Sequence, residues 1–313
     1  MTRPVAEMLI LGKANSYGLT RDAAILRDAL ADAGLQADYA TLKERSFLER
    51  IRGTKRGRRI VHLERAHPAW FGAANETWLI PNQERFPRRQ IGRLRHVEHV
   101  LAKSRHAEAI FRELGVRTSY LGFSSPDRLL TGVQKDFGRF FHLAGGSTLK
   151  GTEDVLAAWA RHPEWPELFL VQKQVNVSSR LPANVQLISG YMDDQALQAL
   201  QNGCGVHLCP SRSEGWGHHI LEGLSVGALV LTTDAAPMNE HVDASCGVLV
   251  PFGRSEPRHL GTNFYVDPHA FDAAVERILA MPEAEKQRLG EAARARFEAV
   301  NAGFLRRVAE LFA

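Results

Sequence analysis

The stretch PSRSEGWGHHILEGLSVG, residues 210–227, follows the strand-like run VHLCPS (206–211) and leads into ALVLTTD (228–234). Its first half is thick with glycine and polar residues, and from about Gly217 it reads as a helix. A strand, a loop, a helix and another apolar strand, in that order, describe a parallel connection, because parallel neighbours are joined by a crossover. Inside this crossover lie two glutamates, Glu214 in the loop and Glu222 in the helix. They could be paired acids, metal ligands beside His218 and His219, acceptors for hydroxyl groups, or two ordinary surface charges.

The same alternation extends outward. AEMLILG (6–12) reads as a strand, and TRDAAILRDALADAG (20–34) as a helix with Thr20 as N-cap and Gly34 as its stop. Strand-like runs recur at 37–42, 59–64, 77–81, 98–104 and 118–123, with a helix at 105–115. A second series begins with FFHLAGG (140–146), then helix 152–162 with Val155, Leu156 and Trp159 on one stripe. It continues through strands at 168–173 and 185–190, helix 193–203 and the stretch quoted above, to GVLVPF (247–252). The tail from Pro268 is helical, with a break at Met281-Pro282 and an apolar face from Leu305 to Phe312. Two such series predict an α/β chain of two Rossmann-like domains, each a mainly parallel sheet covered on both faces. The polar run TGVQKDFGR (131–139) sets the boundary, giving domains of 1–135 and 136–300 and a closing helix, 301–313, returning to the first.

Composition is that of a globular protein, 44% hydrophobic and 24% charged. Cys204, Cys209 and Cys246 form no CxxC pair, which fits a reducing compartment and buried thiols. The opening MTRPVAEMLILGK is too short an apolar run for a signal peptide core or a spanning helix, so a cytosolic protein is the expectation. Charge is unevenly divided. Residues 1–135 carry 24 Lys and Arg against 14 Asp and Glu, and the rest carries 15 against 21. The basic half has clusters at RIRGTKRGRR (50–59) and RFPRRQIGRLR (85–95). These are either solvated surface or an attraction to an anionic membrane face, a phosphorylated acceptor or a polyanion. Nucleic acid is not indicated, since no zinc finger, RRM or KH pattern and no aromatic interleaving accompany them.

Ligands of open α/β sheets bind beyond the carboxyl ends of the strands. AGGSTLKGTED (144–154) follows a strand and opens a helix. Its small residues admit close backbone approach, the helix start offers N–H groups and partial positive charge, and Lys150 adds a full charge. It is a phosphate site or a tight turn with an exposed lysine; it is neither a P-loop nor a GxGxxG fingerprint. At 210–227, ionised Glu214 and Glu222 are acceptor-only groups suited to vicinal hydroxyls. Gly215 and Gly217 allow a tight turn, and the helix start offers donors to a diphosphate. Adjacent His218 and His219 point about 100° apart on a helix and HExxH is missing, so no metal is expected.

The segment PSxxEGxGxxxLEGLxxG, followed by VLTTDAAPMNEHV (230–242), resembles the donor-site signature of retaining GT-B glycosyltransferases of family 4. AGGSTLKGTEDVLAAW resembles the same family's phosphate loop, with Lys150 at its lysine. The likeness is strong over 140–252 and weak over the first 135 residues. It implies a GT-B architecture, two Rossmann-like domains facing each other across a cleft. A nucleotide-sugar donor would be held by the C-terminal domain and a glycan or lipid-linked acceptor by the N-terminal one, without metal or other cofactor. It further implies that Glu222 accepts from ribose hydroxyls and that Glu214 contacts the hexose near the reacting carbon. The backbone of His218, His219 and Leu221, with Gly146, Ser147, Lys150 and Gly217, would hold the diphosphate. Tyr191, in GYMDD (190–194), falls where the family contacts the base.

The likeness breaks at one point. The family carries an arginine a few residues before its lysine, and here Gly145-Gly146-Ser147 stands in that place. Arg212 is a candidate replacement. For the N-terminal residue at the reacting centre, His67 in ERAHP and Glu84 in PNQE are candidates at strand ends. The implied activity is transfer of a hexose with retention, in cell-surface polysaccharide or lipopolysaccharide synthesis, in the cytoplasm or at the inner membrane face. A non-catalytic nucleotide-sugar or polyanion-binding protein and a nucleotide-sugar epimerase on the same fold are the alternatives.

Overall fold

The computed structural model describes residues 6–13, 17–176 and 181–313. Two compact units share the chain: unit 1 is Met1–Ser124, Arg258–Gly261 and Val300–Ala313, and unit 2 is Ser125–Pro257 and Thr262–Ala299. The sequence places the boundary at 135, whereas the contacts place it after Ser124. The reason is that residues 125–135 bond to unit 2. Arg128 N donates to Ser225 Oγ at 3.0 Å, Leu130 N to Asn202 Oδ1 at 2.9 Å, and Lys135 Nζ to Val226 O at 2.6 Å. Residues 136–139, read as linker, begin a strand.

Unit 1 is built on β1 (Ala6–Gly12), β2 (Ala37–Thr41), β3 (Gly57–Glu64), β4 (Glu76–Pro81), β5 (His99–Ala102) and β6 (Thr118–Tyr120). All pair parallel, in the order β2-β1-β3-β4-β5-β6. Its helices are α1 (Tyr17–Asp32), α2 (Phe47–Ile51) and α3 (Arg105–Glu113). Thr20 lies inside α1 rather than capping it, while Gly34 closes the turn after it at φ 76°. The run 85–95, with its alternating arginines, becomes a 3-10 stretch, Arg88–His96, that buries only Gln90 and Leu94.

Unit 2 repeats the plan with β7 (Asp136–Gly145), α4 (Thr152–Arg161), β8 (Leu168–Gln172), β9 (Val185–Ile188) and α5 (Asp194–Gly203). It continues with β10 (Cys204–Cys209), α6 (His218–Ser225), β11 (Leu229–Thr233) and β12 (Gly247–Val250). These six strands are also parallel, in the order β12-β11-β10-β7-β8-β9. The chain winds outward from β7 to β9, crosses to β10, and winds outward again. Successive strand residues face opposite sides, so Phe140 joins a core with Val155 and Trp159 of α4, while Phe141 packs with Phe169 and Cys204 on the other face. All three cysteines are buried and free.

A two-stranded hairpin, β13 (Phe252–Arg258) and β14 (Gly261–Val266), follows β12. It has no apolar alternation, and the sequence reading has no counterpart for it. Then come α7 (Pro268–Ala280), with Asp267 accepting from Ala270 N at 2.8 Å as its cap, and α8 (Glu283–Phe312). The Met281-Pro282 break falls between them. Residues 300–313 of α8 belong to unit 1, where Phe304 packs on Phe123 and Phe312 on Trp78, with ring centroids 5.0 and 5.2 Å apart. Among the described residues no helix is long and apolar enough to cross a membrane.

Trp159 is fully buried, stacks edge-on against Phe140 and Trp165, and donates to Pro166 O at 2.9 Å. Replacing Trp159 with alanine should cost about 3–5 kcal/mol, read as a shift of the urea unfolding midpoint.

Candidate functional site

The order of the second sheet turns over between β7 and β10, and both site segments leave the carboxyl ends of these two neighbours. That is where open α/β sheets bind ligands. The loop after β7 and the loop after β10 are pressed together. Arg212 N donates to Leu149 O at 2.8 Å. Gly151 sits at φ 72°, and any side chain there would run into the carbonyl oxygen of Pro210. Glycine is therefore required twice over at this position, by conformation and by contact. From the far side β11 braces the second loop, with Thr232 Oγ1 donating to Cys209 O and Thr233 Oγ1 to Ser211 O, both at 2.8 Å.

This apposition brings Lys150 and Glu214 into an ion pair, Nζ to Oε1 at 2.6 Å, with both side chains less than a fifth exposed. Lys150 Nζ also donates to His219 Nδ1 at 3.1 Å. Burial first, and the neighbouring Lys150 charge second, hold His219 well below the ordinary histidine range, so the ring is neutral. Since Nδ1 accepts from an ammonium, the ring proton sits on Nε2 and points to Ser211 Oγ, 3.0 Å away. The neutral ring orients the lysine without competing with it for an anion.

Gly217 caps α6 at φ 98°, with Glu214 Cγ 3.6 Å from where its Cβ would be. Ile220 N and Leu221 N both donate back to Gly217 O, at 2.9 and 3.3 Å. The amide of Leu221 is thus taken inside the helix, while those of His218 and His219 lie ahead of the ladder, at the positive end of the helix. His241, with its pKa lowered to about 4 by burial, donates from Nε2 to Trp216 O at 2.6 Å and so holds the Gly-Trp-Gly turn. Trp216 is 4% exposed, packs edge-on against His241, and donates to Ser125 Oγ at 3.3 Å. Ser125 Oγ also lies 2.8 Å from His218 Nδ1.

The remaining sequence candidates fall in separate places. Glu222 is 3% exposed on α6 and accepts from Gln201 Nε2 at 2.9 Å. Gln201 Oε1 accepts in turn from Arg128 Nε at 2.9 Å, and Arg128 is paired with Asp194 at 2.8 Å. Gln201 and Arg128 escaped the sequence reading because they lie on other elements. Arg212, the candidate for the missing arginine, has its own acidic partners. Its guanidinium is held by Glu153 and Asp154 in the first turn of α4, at 2.7 and 3.2 Å, and lies over the Tyr265 ring. A second lysine lies over the glycines at the end of β7: Lys173, just past β8. Its backbone N donates to Gly145 O at 2.9 Å, and its Cε and Nζ lie 3.5 and 3.8 Å from where a Cβ on Gly146 would be. The signal was a lysine closing the strand LFLVQ, but its relevance depends on β8 pairing with β7. Ser147 Oγ accepts from Leu149 N at 3.1 Å and shapes the loop. Tyr191 is 93% exposed between β9 and α5.

In unit 1, His67 follows β3 and Glu84 follows β4, both at carboxyl strand ends. His67 stacks on buried His62, and its N donates to His62 Nδ1 at 3.1 Å. Burial, then the charges of Lys13, Arg93 and Arg65, lower its pKa to about 4. Glu84 is 4% exposed, with Arg85 Nε 3.9 Å away. Beside them a buried ion pair joins Lys103 after β5 to Asp22 on α1 at 2.5 Å, with Asn82 Oδ1 accepting at 3.1 Å. Among the described residues no three His, Cys, Asp or Glu side chains are grouped to hold a metal ion.

Residues 150–296 match the family described as glycosyl transferases group 1. No curated protein matches the chain by sequence. Solved structures share its fold at low identity. A glycosyltransferase from Rickettsia africae is 13% identical, with 98% of each chain covered and a TM-score of 0.74. HepE of Anabaena, solved in complex with UDP and glucose, is 16% identical over 98% of this chain and 99% of that one, at 0.71. A sucrose-phosphate synthase from Thermosynechococcus elongatus is 16% identical over 98% of both, at 0.71. The fold is GT-B, and the site built on β7, β10 and α6 falls in the matched region from its first residue, Lys150, onward.

Three further histidines of unit 2 brace these strands as neutral rings. His142 donates to Leu208 O, His207 to Gln201 O, and His241 to Trp216 O. Burial lowers their pKa from 6.5 to about 4, 3 and 4 respectively. Below pH 6.5 the unfolded chain takes up protons that the folded unit refuses, so stability present above 6.5 is lost as the pH falls toward 4. Each ring should contribute up to about 1.4 kcal/mol per pH unit in that window. Thermal unfolding midpoints should fall accordingly, and less steeply in a His142→Gln variant.

Proposed function

We propose that the protein is a retaining glycosyltransferase that moves a hexose from a nucleotide-diphosphate sugar to a hydroxyl of a glycan or lipid-linked acceptor in cell-surface polysaccharide or lipopolysaccharide synthesis. One observation carries the reading: a cation suited to phosphate and a carboxylate suited to sugar hydroxyls are held 2.6 Å apart at the sheet's switch point. A glycosyl phosphate presents the same two groups side by side across the bond that breaks. HepE, of similar fold, is described with UDP and glucose bound.

In this reading Lys150, Lys173 and the first-turn amides of α6 take the diphosphate, and Glu214 takes the sugar hydroxyls beside the reacting carbon. Glu222, steadied by Gln201, takes the ribose, and Tyr191 lies toward the base. No metal ion takes part. As the glycosidic bond lengthens, negative charge grows on the leaving phosphate. Donors fixed before the reaction stabilise that charge without the cost of reorganising water. The leaving phosphate, on the same side of the sugar as the incoming hydroxyl, helps to take its proton. His67 and Glu84 are the acceptor-side candidates in unit 1. A lipid-linked acceptor would bring the basic first half of the chain against the anionic cytoplasmic face of a membrane.

Replacing Glu214 with alanine should lower the transfer rate by at least about 100-fold, with nucleotide-diphosphate binding by calorimetry largely retained; transfer at the normal rate would remove its role. Replacing Lys173 with alanine should weaken binding of the nucleotide diphosphate by about fivefold to tenfold, while Arg212→Ala should change it little. Binding of donor with no turnover, with any acceptor fraction, would favour a binding protein over an enzyme.

A further inference from the structure

Helix α2 is a surface feature that the donor site does not use. Its side chains Phe47, Leu48 and Ile51 are 68%, 61% and 68% exposed, and none of its residues is buried. Yet the segment is firmly held. Ser46 and Glu49 close a reciprocal capping box, with Ser46 N donating to Glu49 Oε2 at 2.8 Å and Glu49 N to Ser46 Oγ at 3.2 Å. Buried Arg45 donates to Ala69 O and Phe71 O at 2.9 and 3.1 Å, and Arg56 pairs with Glu49 at 3.0 Å. Polar contacts thus fix the helix from behind and leave its apolar side outward.

On a helix of about 100° per residue, Phe47, Ile51 and Leu48 fall within an arc of about 100°, with Arg50 and Arg52 flanking it and Glu49 opposite. Residues 43–59 contain eight Lys and Arg against two acids, and one of those acids, Glu49, is turned into the cap. An exposed apolar face rimmed by arginine is the pattern of a segment that lies in a lipid headgroup layer. The other basic cluster, 85–95, shows no such face: Phe86 and Leu94 are buried.

We propose that α2 docks unit 1 onto an anionic lipid bilayer, with Phe47, Leu48 and Ile51 entering the headgroup boundary and Arg50 and Arg52 on lipid phosphates. This deepens the lipid-side reading of the acceptor. The test uses neither donor nor acceptor, so its failure leaves the transferase reading intact.

The full chain is sedimented with vesicles of phosphatidylcholine alone or mixed with phosphatidylglycerol, at low and high salt. Binding is expected to the mixed vesicles and to weaken with salt. The triple variant F47S/L48S/I51S should lose about 100-fold in partitioning, and R50E/R52E at least about tenfold. Circular dichroism should be unchanged in both, since no buried contact is removed. Three results would overturn the proposal: no binding of the unaltered chain to mixed vesicles at low salt; a serine variant that binds as well as the original; or a chain that sediments as a dimer while the serine variant is monomeric, which would make α2 a self-association surface.

Discussion

The candidate site of unit 2 depends on one close approach, that of Gly151 to the backbone of Pro210. Strands β7 and β10 are neighbours in the sheet although some sixty residues separate them, and parallel pairing alone sets their ends side by side. Without a side chain at Gly151 the two loops close against each other, and the Leu149 carbonyl meets the Arg212 amide. Lys150 and Glu214 stand immediately beside this contact. Their pairing follows from the backbone fit, which sets the two residues side by side.

Charge in this region is sorted by burial. The rings of His142, His207, His219 and His241 are buried and neutral, and they hold backbone and lysine by hydrogen bonds without adding positive charge. The cations that remain have distinct partners: Arg212 faces the acids of α4, Lys150 faces Glu214, and Lys173 lies over the glycines of the phosphate loop. A loop of glycines overhung by a lysine from the next strand differs in construction from one that carries its own arginine.

Periodic features were legible in the sequence and tertiary ones were not. The apolar runs of β1 and β3 to β5, and of β7 to β12, were visible because buried parallel strands are short and continuously apolar, and α4 showed its stripe of Val155 and Trp159. Helix α2 is five residues long, too short for its pattern to stand out in the sequence, and its apolar side chains lie in the open. The hairpin of β13 and β14 alternates no apolar residues. The boundary misplaced at 135 looked like a linker by composition, and only bonds to residues some seventy to one hundred positions away place 125–135 in unit 2. Glu214 and Lys150 could be singled out as candidates because each sits at a strand end within a local pattern, while their pairing could not. The neighbours of Arg212 and Lys173 were not legible, because what lies opposite a charge is a property of the sheet order.

Unit 1 is discontinuous, and its last segment comes from the end of α8. Phe304 rests on Phe123, Phe312 on Trp78, and Arg307 donates to Leu121 O, so the sixth strand's end and the fourth strand are completed by residues that lie beyond unit 2 in the chain. Unit 2 lies almost wholly within the intervening stretch. The first unit is therefore closed by a segment that follows the whole of the second in the chain, so a break anywhere in unit 2 would part unit 1 from its own last helix turns.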